Sequence, residues 1–321
     1  MISSKLPQML FLRDYRGFSG GHLKYFQYLQ HVIAHGRFHP VIHVTKESKQ
    51  DELEQLLLEA VERVDLPHTC NAIFIAGQDW AVLDAKGQQT ATIPVINLIQ
   101  GVRHADPTLP LHGYLSRHAT RICVSAQVAE AILATGQVNG PVHVIENGVD
   151  LPELDAFRQE KRNGKVLIAG LKDRPLAIAT SEALSASRIP HEVLTTHMPR
   201  PDFLAHLANF DHAILLPLPV EGFFLPALEA MALGVSVVMP DCVGARTFAV
   251  NGESCVITDR DPHALARAAA SLVSDRNRTD TLRSGGRDIS RRSSLERERR
   301  QLFDILDVLK IEVVAENWTA C

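Results

Sequence analysis

Short runs of apolar residues alternate along the whole chain with stretches whose apolar positions recur at helical spacing, a pattern that predicts α/β structure with parallel sheets. Gln8 to Arg13 reads as a first strand, Asp14 to Gly21 as a loop, Gly21 to His35 as a helix and Pro40 to Thr45 as the next strand, together a βαβ unit. Ala72 to Ala76, Pro94 to Ile99 and Arg121 to Ser125 continue the strand series. A helix from Ala126 to about Ala134 and a strand from Val142 to Ile145 follow. Asn147-Gly148 is a turn signal, and the polar stretch Leu151 to Gly164 behind it marks a boundary, so the domains expected are 1–150 and 151–321.

The second half restarts with the strand Lys165 to Ala169, a helix from Pro175 to Ser187, a strand Glu192 to Thr196, a helix from about Asp202 to Asn209 and a strand Ala213 to Leu216. Strands at Val235 to Pro240 and Cys255 to Thr258 and a helix from near Pro262 come next. Two Rossmann-like domains facing a cleft are the expected fold, with ligands at the C-terminal ends of the strands.

Composition narrows the class. A chain of 321 residues that is 45% hydrophobic can bury two cores. A net charge of −4 and a pI near 6.4 give no basic field for nucleic acid, so a small-molecule enzyme fits better. Five cysteines, Cys70, Cys123, Cys242, Cys255 and Cys321, form neither a CxxC nor an even framework, which points to a reducing cytoplasm. The N-terminus lacks the charged start and apolar core of a signal peptide. Pro217, Pro219, Glu221, Pro226 and Glu229 break the longest apolar region, so membrane association is expected to be peripheral only.

The most informative segment is Glu221-Gly222-Phe223-Phe224-Leu225-Pro226-Ala227-Leu228-Glu229, in which two carboxylates stand eight residues apart. Pro226 suits the first turn of a helix, which puts Glu221 in the loop and Glu229 about one turn in. Fully helical spacing would separate the acids by roughly 12 Å, against ~5 Å for a retaining glycosidase pair, so an acid and nucleophile sharing one bond do not fit. Carboxylates that grip different hydroxyls of an elongated ligand, with a helix N-terminus facing its phosphate, fit the shape of a nucleotide sugar.

This segment resembles the E-x₇-E motif of GT-B glycosyltransferases, in particular the large retaining family of glycosyl transferases group 1. The resemblance extends upstream through Pro217-Leu218-Pro219-Val220-Glu221 and downstream through Ala227 to Gly234, whose closing glycine serves as a C-cap of positive φ. Asn251-Gly252-Glu253, Asp261-Pro262 and Ala264-Leu265-Ala266 follow in the family's order, and Asn147-Gly148-Val149-Asp150 is similar to the segment that closes the family's first domain. It implies a donor sugar contact for Glu221 and a ribose contact for Glu229, and the amides of Gly222, Phe223, Phe224 and Leu225 are expected to meet the leaving charge of the donor. The final helix, Leu302 to Val314, is expected to pack back on the first domain as in the GT-B fold.

Three departures stand out. Phe224 replaces the family's glycine, which crowds the donor sugar or sets a ring against it. Leu171 stands where the family places arginine, and the glutamate that often follows Gly244 by a few residues is missing.

A leaving diphosphate needs positive charge, from a metal or from Lys, Arg and helix N-termini. No DxD or His-rich cluster makes a convincing metal site, so no metal or other cofactor is expected and the nucleotide sugar is a co-substrate. Gly170-Leu171-Lys172-Asp173-Arg174-Pro175 follows a strand and opens a helix, which nominates Lys172 and Arg174 for the diphosphate. In the first domain, Ser19-Gly20-Gly21-His22 resembles the family's glycine-rich loop, with Gly21 near the donor phosphate and Asp14, Tyr15 and Arg16 as acceptor contacts. The family's cleft histidine maps first to His104, as a catalytic candidate, and second to Gln100.

The basic segment with Arg283, Arg287, Arg291, Arg292, Arg297, Arg299 and Arg300, interleaved with Glu296 and Glu298, reads as a solvated helical face. Contact with an anionic membrane or a phosphorylated lipid acceptor is the alternative. The P-loop and Gly-x-Gly-x-x-Gly motifs are missing, which excludes the corresponding NTPases and dehydrogenases. The expected function is sugar transfer from a nucleotide donor to a hydroxyl of a glycan or glycolipid, with retention. A non-catalytic nucleotide-sugar-binding subunit and a nucleotide-sugar epimerase of the same fold are the rivals.

Overall fold

The structure, a computed structural model, describes residues 6–49, 61–159 and 161–311. The described residues divide into two compact units, one running to Ile145 and taking up the chain again from Arg299, the other spanning Glu146–Glu298.

The first unit is built on a seven-stranded parallel sheet in the order β3-β2-β1-β4-β5-β6-β7. Its strands are β1 Gln8–Arg13, β2 His39–Val44, β3 Glu62–Arg63, β4 Ala72–Ala76, β5 Val95–Ile99, β6 Thr120–Cys123 and β7 Val142–Val144. Val41, Leu10, Ile73 and Val95 lie side by side across four strands and share one apolar cluster with Trp80 and Leu83. The helices are α1 Gly20–His35, α2 Asp79–Ala85, α3 Pro110–Gly113 and α4 Ala126–Leu133. Ser19 caps α1 by accepting the His22 N–H at 3.3 Å.

The second unit carries a five-stranded parallel sheet in the order β12-β11-β10-β8-β9. These are β8 Val166–Ala169, β9 His191–Leu194, β10 His212–Leu215, β11 Ser236–Pro240 and β12 Val256–Thr258. Successive residues alternate between two cores: Leu167, Ala213 and Val237 line up on one face, Ile168, Ile214 and Val238 on the other. Both faces are therefore buried, which explains why these strands read as continuous apolar runs. The helices are α5 Leu151–Ala156, α6 Arg174–Ala186, α7 Arg200–Ala208, α8 Leu225–Ala232, α9 Pro262–Ser274 and α10 Arg276–Arg292, and α11 Leu295–Val308 passes from this unit into the first.

Several expectations need correction. The stretch expected as a polar linker opens with helix α5, because Asp150 accepts the Glu153 N–H at 3.2 Å and Pro152 occupies the first turn. The basic segment is not merely a solvated face. Glu298 is fully buried and accepts the Gly148 N–H at 2.5 Å, Arg297 meets Glu146 at 3.2 Å and Arg283 meets Asp211 at 2.7 Å. The last helix starts earlier than expected, and its end packs on α1 and the turn behind it: Phe303 lies edge-on to His35, and Arg37 donates to the Leu306 carbonyl at 2.8 Å. Residues 312–314 of the expected helix, and Cys321, lie outside the described residues.

Candidate functional site

Each sheet has one point where the strand order reverses, between β1 and β4 in the first unit and between β8 and β10 in the second. Loops leaving the C-terminal ends of such neighbouring strands diverge, and the crevice between them is where open α/β sheets bind ligands.

In the second unit the loop after β8 is Gly170–Asp173 and the loop after β10 leads through Glu221 into α8. Two ties cross between them. The Lys172 ammonium donates to Glu221 Oε1 at 2.6 Å, and the Leu218 N–H reaches the same oxygen at 3.3 Å. Arg260, just before α9, donates to Asp173 Oδ2 at 2.9 Å and to the Pro217 carbonyl at 2.5 Å. Asp173 in turn caps α6 by accepting the Leu176 N–H. Gly170 permits this geometry, since a Cβ there would overlap that of Ala177. Arg174, the other nominated cation, is exposed and makes no hydrogen bond or ion pair among the described residues.

Helix α8 begins with no side-chain cap at Phe224 and with Pro226 in its first turn, so no capping side chain offsets its positive end. It closes at Gly234, whose φ is +74°. The backbone of Glu221 to Phe223 rests against Gly244 in the short turn Val243–Ala245. A Cβ on Gly244 would overlap the carbonyl carbon of Gly222 and the nitrogen of Phe223, and would lie 2.6 Å from the Glu221 carbonyl oxygen. Phe223 stacks at a tilt on Phe248, with ring centroids 5.1 Å apart. Phe224, expected to crowd a donor sugar or face it with its ring, is only 4% exposed and belongs to the core, so its side chain fills the interior. Leu171 packs against the same core.

Glu229, one turn into α8, is buried. Arg200, the first residue of α7, sends Nε and Nη2 to Glu229 Oε1, each at 2.9 Å, and Nη1 to Glu153 Oε1 of α5 at 2.6 Å. Burial opposes the charge on Arg200, but the two carboxylates outweigh it and hold its pKa above the ordinary value. Sequence reasoning missed Arg200, Glu153 and Arg260. The Asp-Leu-Pro-Glu start of α5 was a readable helix signal for Glu153, whereas no local pattern marks the two arginines.

In the first unit, the loop after β1 holds Asp14, Tyr15 and Arg16. Asp14 accepts from the Thr45 hydroxyl at 2.7 Å and pairs with Arg16 at 3.0 Å. Tyr15, expected to meet an acceptor, is 1% exposed and packed against His22 and Phe26, beneath the Arg13 guanidinium, so its ring belongs to the core. Gln100, at the end of β5, donates to the Gly21 carbonyl at 3.2 Å, and a Cβ on Gly21 would sit 2.7 Å from its side-chain oxygen. The structure thus brings Gly21 to Gln100, the second choice for the cleft residue. His104 instead lies against Gly77 behind β4, buried, and its pKa falls to about 4 through burial and then through Arg103 and Arg121. Its imidazole is neutral near pH 7. Beside the reversal point, Asp79 is buried with Oδ2 accepting the Ala76 N–H at 2.7 Å, and burial raises its pKa to about 7.

Comparison with known proteins bears on the family and the fold. Residues 124–275 match the family model of glycosyl transferases group 1. That match spans the loop after β8, the Glu221 loop and α8. A curated protein, the capsular polysaccharide biosynthesis glycosyltransferase CapM of Staphylococcus aureus, is 30% identical to this chain over 126 residues, or 39% of this chain and 32% of CapM. The chain thus spans about a third of the length of that relative. Among solved structures, HepE of Anabaena in complex with UDP-glucose superposes with a TM-score of 0.72 at 16% identity, covering 94% of this chain and 100% of HepE. Sucrose-phosphate synthase from Thermosynechococcus elongatus gives 0.71 at 14%, covering 94% and 98%. At these identities the likeness speaks for the fold, which is that of GT-B glycosyltransferases. Among the described residues, no helix is long and apolar enough to cross a membrane.

Proposed function

We propose that the protein transfers a sugar from a nucleotide sugar to a hydroxyl acceptor, and that the second unit holds the donor. The Lys172–Glu221 ion pair carries this reading: it spans the reversal point of the second sheet and lies on the loop that opens α8. A diphosphate entering there draws Lys172 away from Glu221, which frees the carboxylate for hydroxyls of the sugar. The uncapped helix end and the amides of Gly222 to Leu225 stabilise charge that develops on the leaving phosphate. Glu229 takes the ribose hydroxyls, and Arg174, unpaired and exposed, is a second cation for the phosphates.

This transfer proceeds with retention and without a metal ion, because Lys172, Arg174 and the helix end supply the positive charge. On the acceptor side, Asp14 and Arg16 are the polar groups of the β1 loop, and a glycan or glycolipid offers hydroxyls suited to them. The cytoplasm, with peripheral contact at an anionic membrane, is the compartment in which such an acceptor would be met. The group 1 match and the capsular relative support sugar transfer in polysaccharide assembly.

Titration calorimetry and turnover with a panel of nucleotide sugars, UDP-glucose first, test the reading. Glu229→Ala should weaken nucleotide binding, and Glu221→Ala should reduce turnover more than binding. Wild-type binding without turnover on any acceptor would favour a non-catalytic subunit, and an isomerised sugar formed without acceptor would favour an epimerase. Normal activity in both variants removes the assignment.

A further inference from the structure

We propose that Arg200 is a positioning residue of the donor site, fixing the Glu229 carboxylate so that it recognises ribose hydroxyls and so setting a preference for ribonucleotides over their deoxy counterparts. The inference rests on the reading of Glu229 as the ribose contact.

Three helices converge on the guanidinium. Nε and Nη2 both reach Glu229 Oε1 at 2.9 Å, and Nη1 reaches Glu153 Oε1 at 2.6 Å. Arg200 and Glu229 are 11% and 6% exposed at their side chains, whereas Glu153 is 36% exposed. The inner pair is therefore out of water and the outer carboxylate is at its margin. Buried carboxylates are retained as ions only where charge and hydrogen bonds surround them, and a planar fork that spends two nitrogens on one oxygen also fixes the carboxylate plane.

All three guanidinium nitrogens are engaged, so Arg200 would have to break these bonds to reach a phosphate. That separates its role from Lys172, whose own side chain is exposed and held by one carboxylate, and from Arg174, which has no partner among the described residues. The position also suits such a role: Arg200 opens α7 directly after the loop His197-Met198-Pro199 behind β9, and Glu229 stands one turn into α8. Lysine would supply the charge but not the fork, and one ammonium cannot repeat the two-nitrogen contact to Glu229 while holding Glu153.

A site built to bond a hydroxyl rejects an analogue that lacks it, because the site's own polar groups are then left unmet. Loss of the alignment should therefore lower affinity for the ribonucleotide and leave the dideoxy analogue nearly untouched. A purely structural role would weaken both alike.

Calorimetry of the full chain with UDP and GDP and with their 2′,3′-dideoxy forms reads this directly. Wild type should prefer the ribonucleotide by about tenfold or more. Arg200→Gln should collapse that ratio toward one, and Arg200→Lys should restore it only in part. Glu153→Gln, which removes the outer carboxylate and is expected to fold, should reduce it by a smaller factor and carries the test if Arg200→Gln does not fold. If Glu229→Ala keeps the ribose preference, the ribose reading itself is wrong. If Glu229→Ala abolishes the preference while Arg200→Gln or Glu153→Gln leaves it intact, Arg200 merely balances charge and the inference is overturned.

Discussion

Lys172 Nζ lies 2.6 Å from Glu221 Oε1, joining the two loops that leave the reversal point of the second sheet. The lysine side chain is 44% exposed, and ion pairs of that exposure contribute at most about 1 kcal/mol to stability. Breaking the contact is therefore cheap, which suits a group that must change partners when a diphosphate arrives. Lys172→Met should shift the thermal midpoint by no more than about 4 °C while lowering kcat/KM on the order of 100-fold. Unchanged turnover in a folded variant would detach Lys172 from the chemistry.

Gly244 holds the Glu221 loop by its lack of a side chain. The atoms that a Cβ would strike are backbone atoms of Glu221, Gly222 and Phe223, which have no rotamer into which to retreat. Gly244→Ala should displace the loop and reduce turnover by about tenfold or more, because small misplacements of a catalytic group are costly. Gly113→Ala, where a Cβ meets nothing within 4 Å, is the matched control and should behave as wild type. Equal activity in the two variants would show that the contact at Gly244 yields without consequence.

Phe224 stands where the resemblance implies a glycine, yet its side chain is buried in the core that also holds Leu225, Leu228 and Phe248. Phe224→Ala should then destabilise the second unit by about 3–5 kcal/mol through the cavity it leaves. Urea unfolding of the variant measures this. A loss below about 1 kcal/mol, with altered donor preference, would mean that the ring serves the ligand after all.

Much of this architecture was legible because both sheets are parallel and buried on both faces, so each strand announces itself as a short apolar run between polar turns. The Glu221 loop and the start of α8 were legible through Pro226 and Gly234, residues whose backbone requirements are local. Direction of burial was not. Tyr15 and Phe224 sit in loops beside candidate contacts, and only the packing of distant helices and strands decides that their rings point inward. Arg200 and Arg260 escaped for the same reason, since their partners are 29 to 87 residues away in the chain. Glu298 looked like one of several surface acids, and its burial depends on the Gly148 N–H from the far end of the second unit.

Asp79 gives the first unit a pH dependence whose sign can be worked out. Burial raises its pKa from 3.8 to about 7, against the opposing pull of the Ala76 N–H and Arg13 and with a push from Asp14. The folded state thus holds the proton more tightly than the unfolded state. The associated stability is fully present below pH 3.8 and is lost as pH rises through about 7. Asp79→Asn keeps an oxygen for the Ala76 N–H and removes the titration. The variant should gain on wild type by on the order of 1 kcal/mol per pH unit between roughly pH 4 and 7, and hold a constant difference above that. Urea unfolding followed by the fluorescence of Trp80, which is buried beside Asp79 in the chain, measures this in a Trp318→Phe background. A difference between the two proteins that stays flat from pH 4 to 8 would show that Asp79 is ionised throughout and that Arg13 and the Ala76 N–H outweigh its burial.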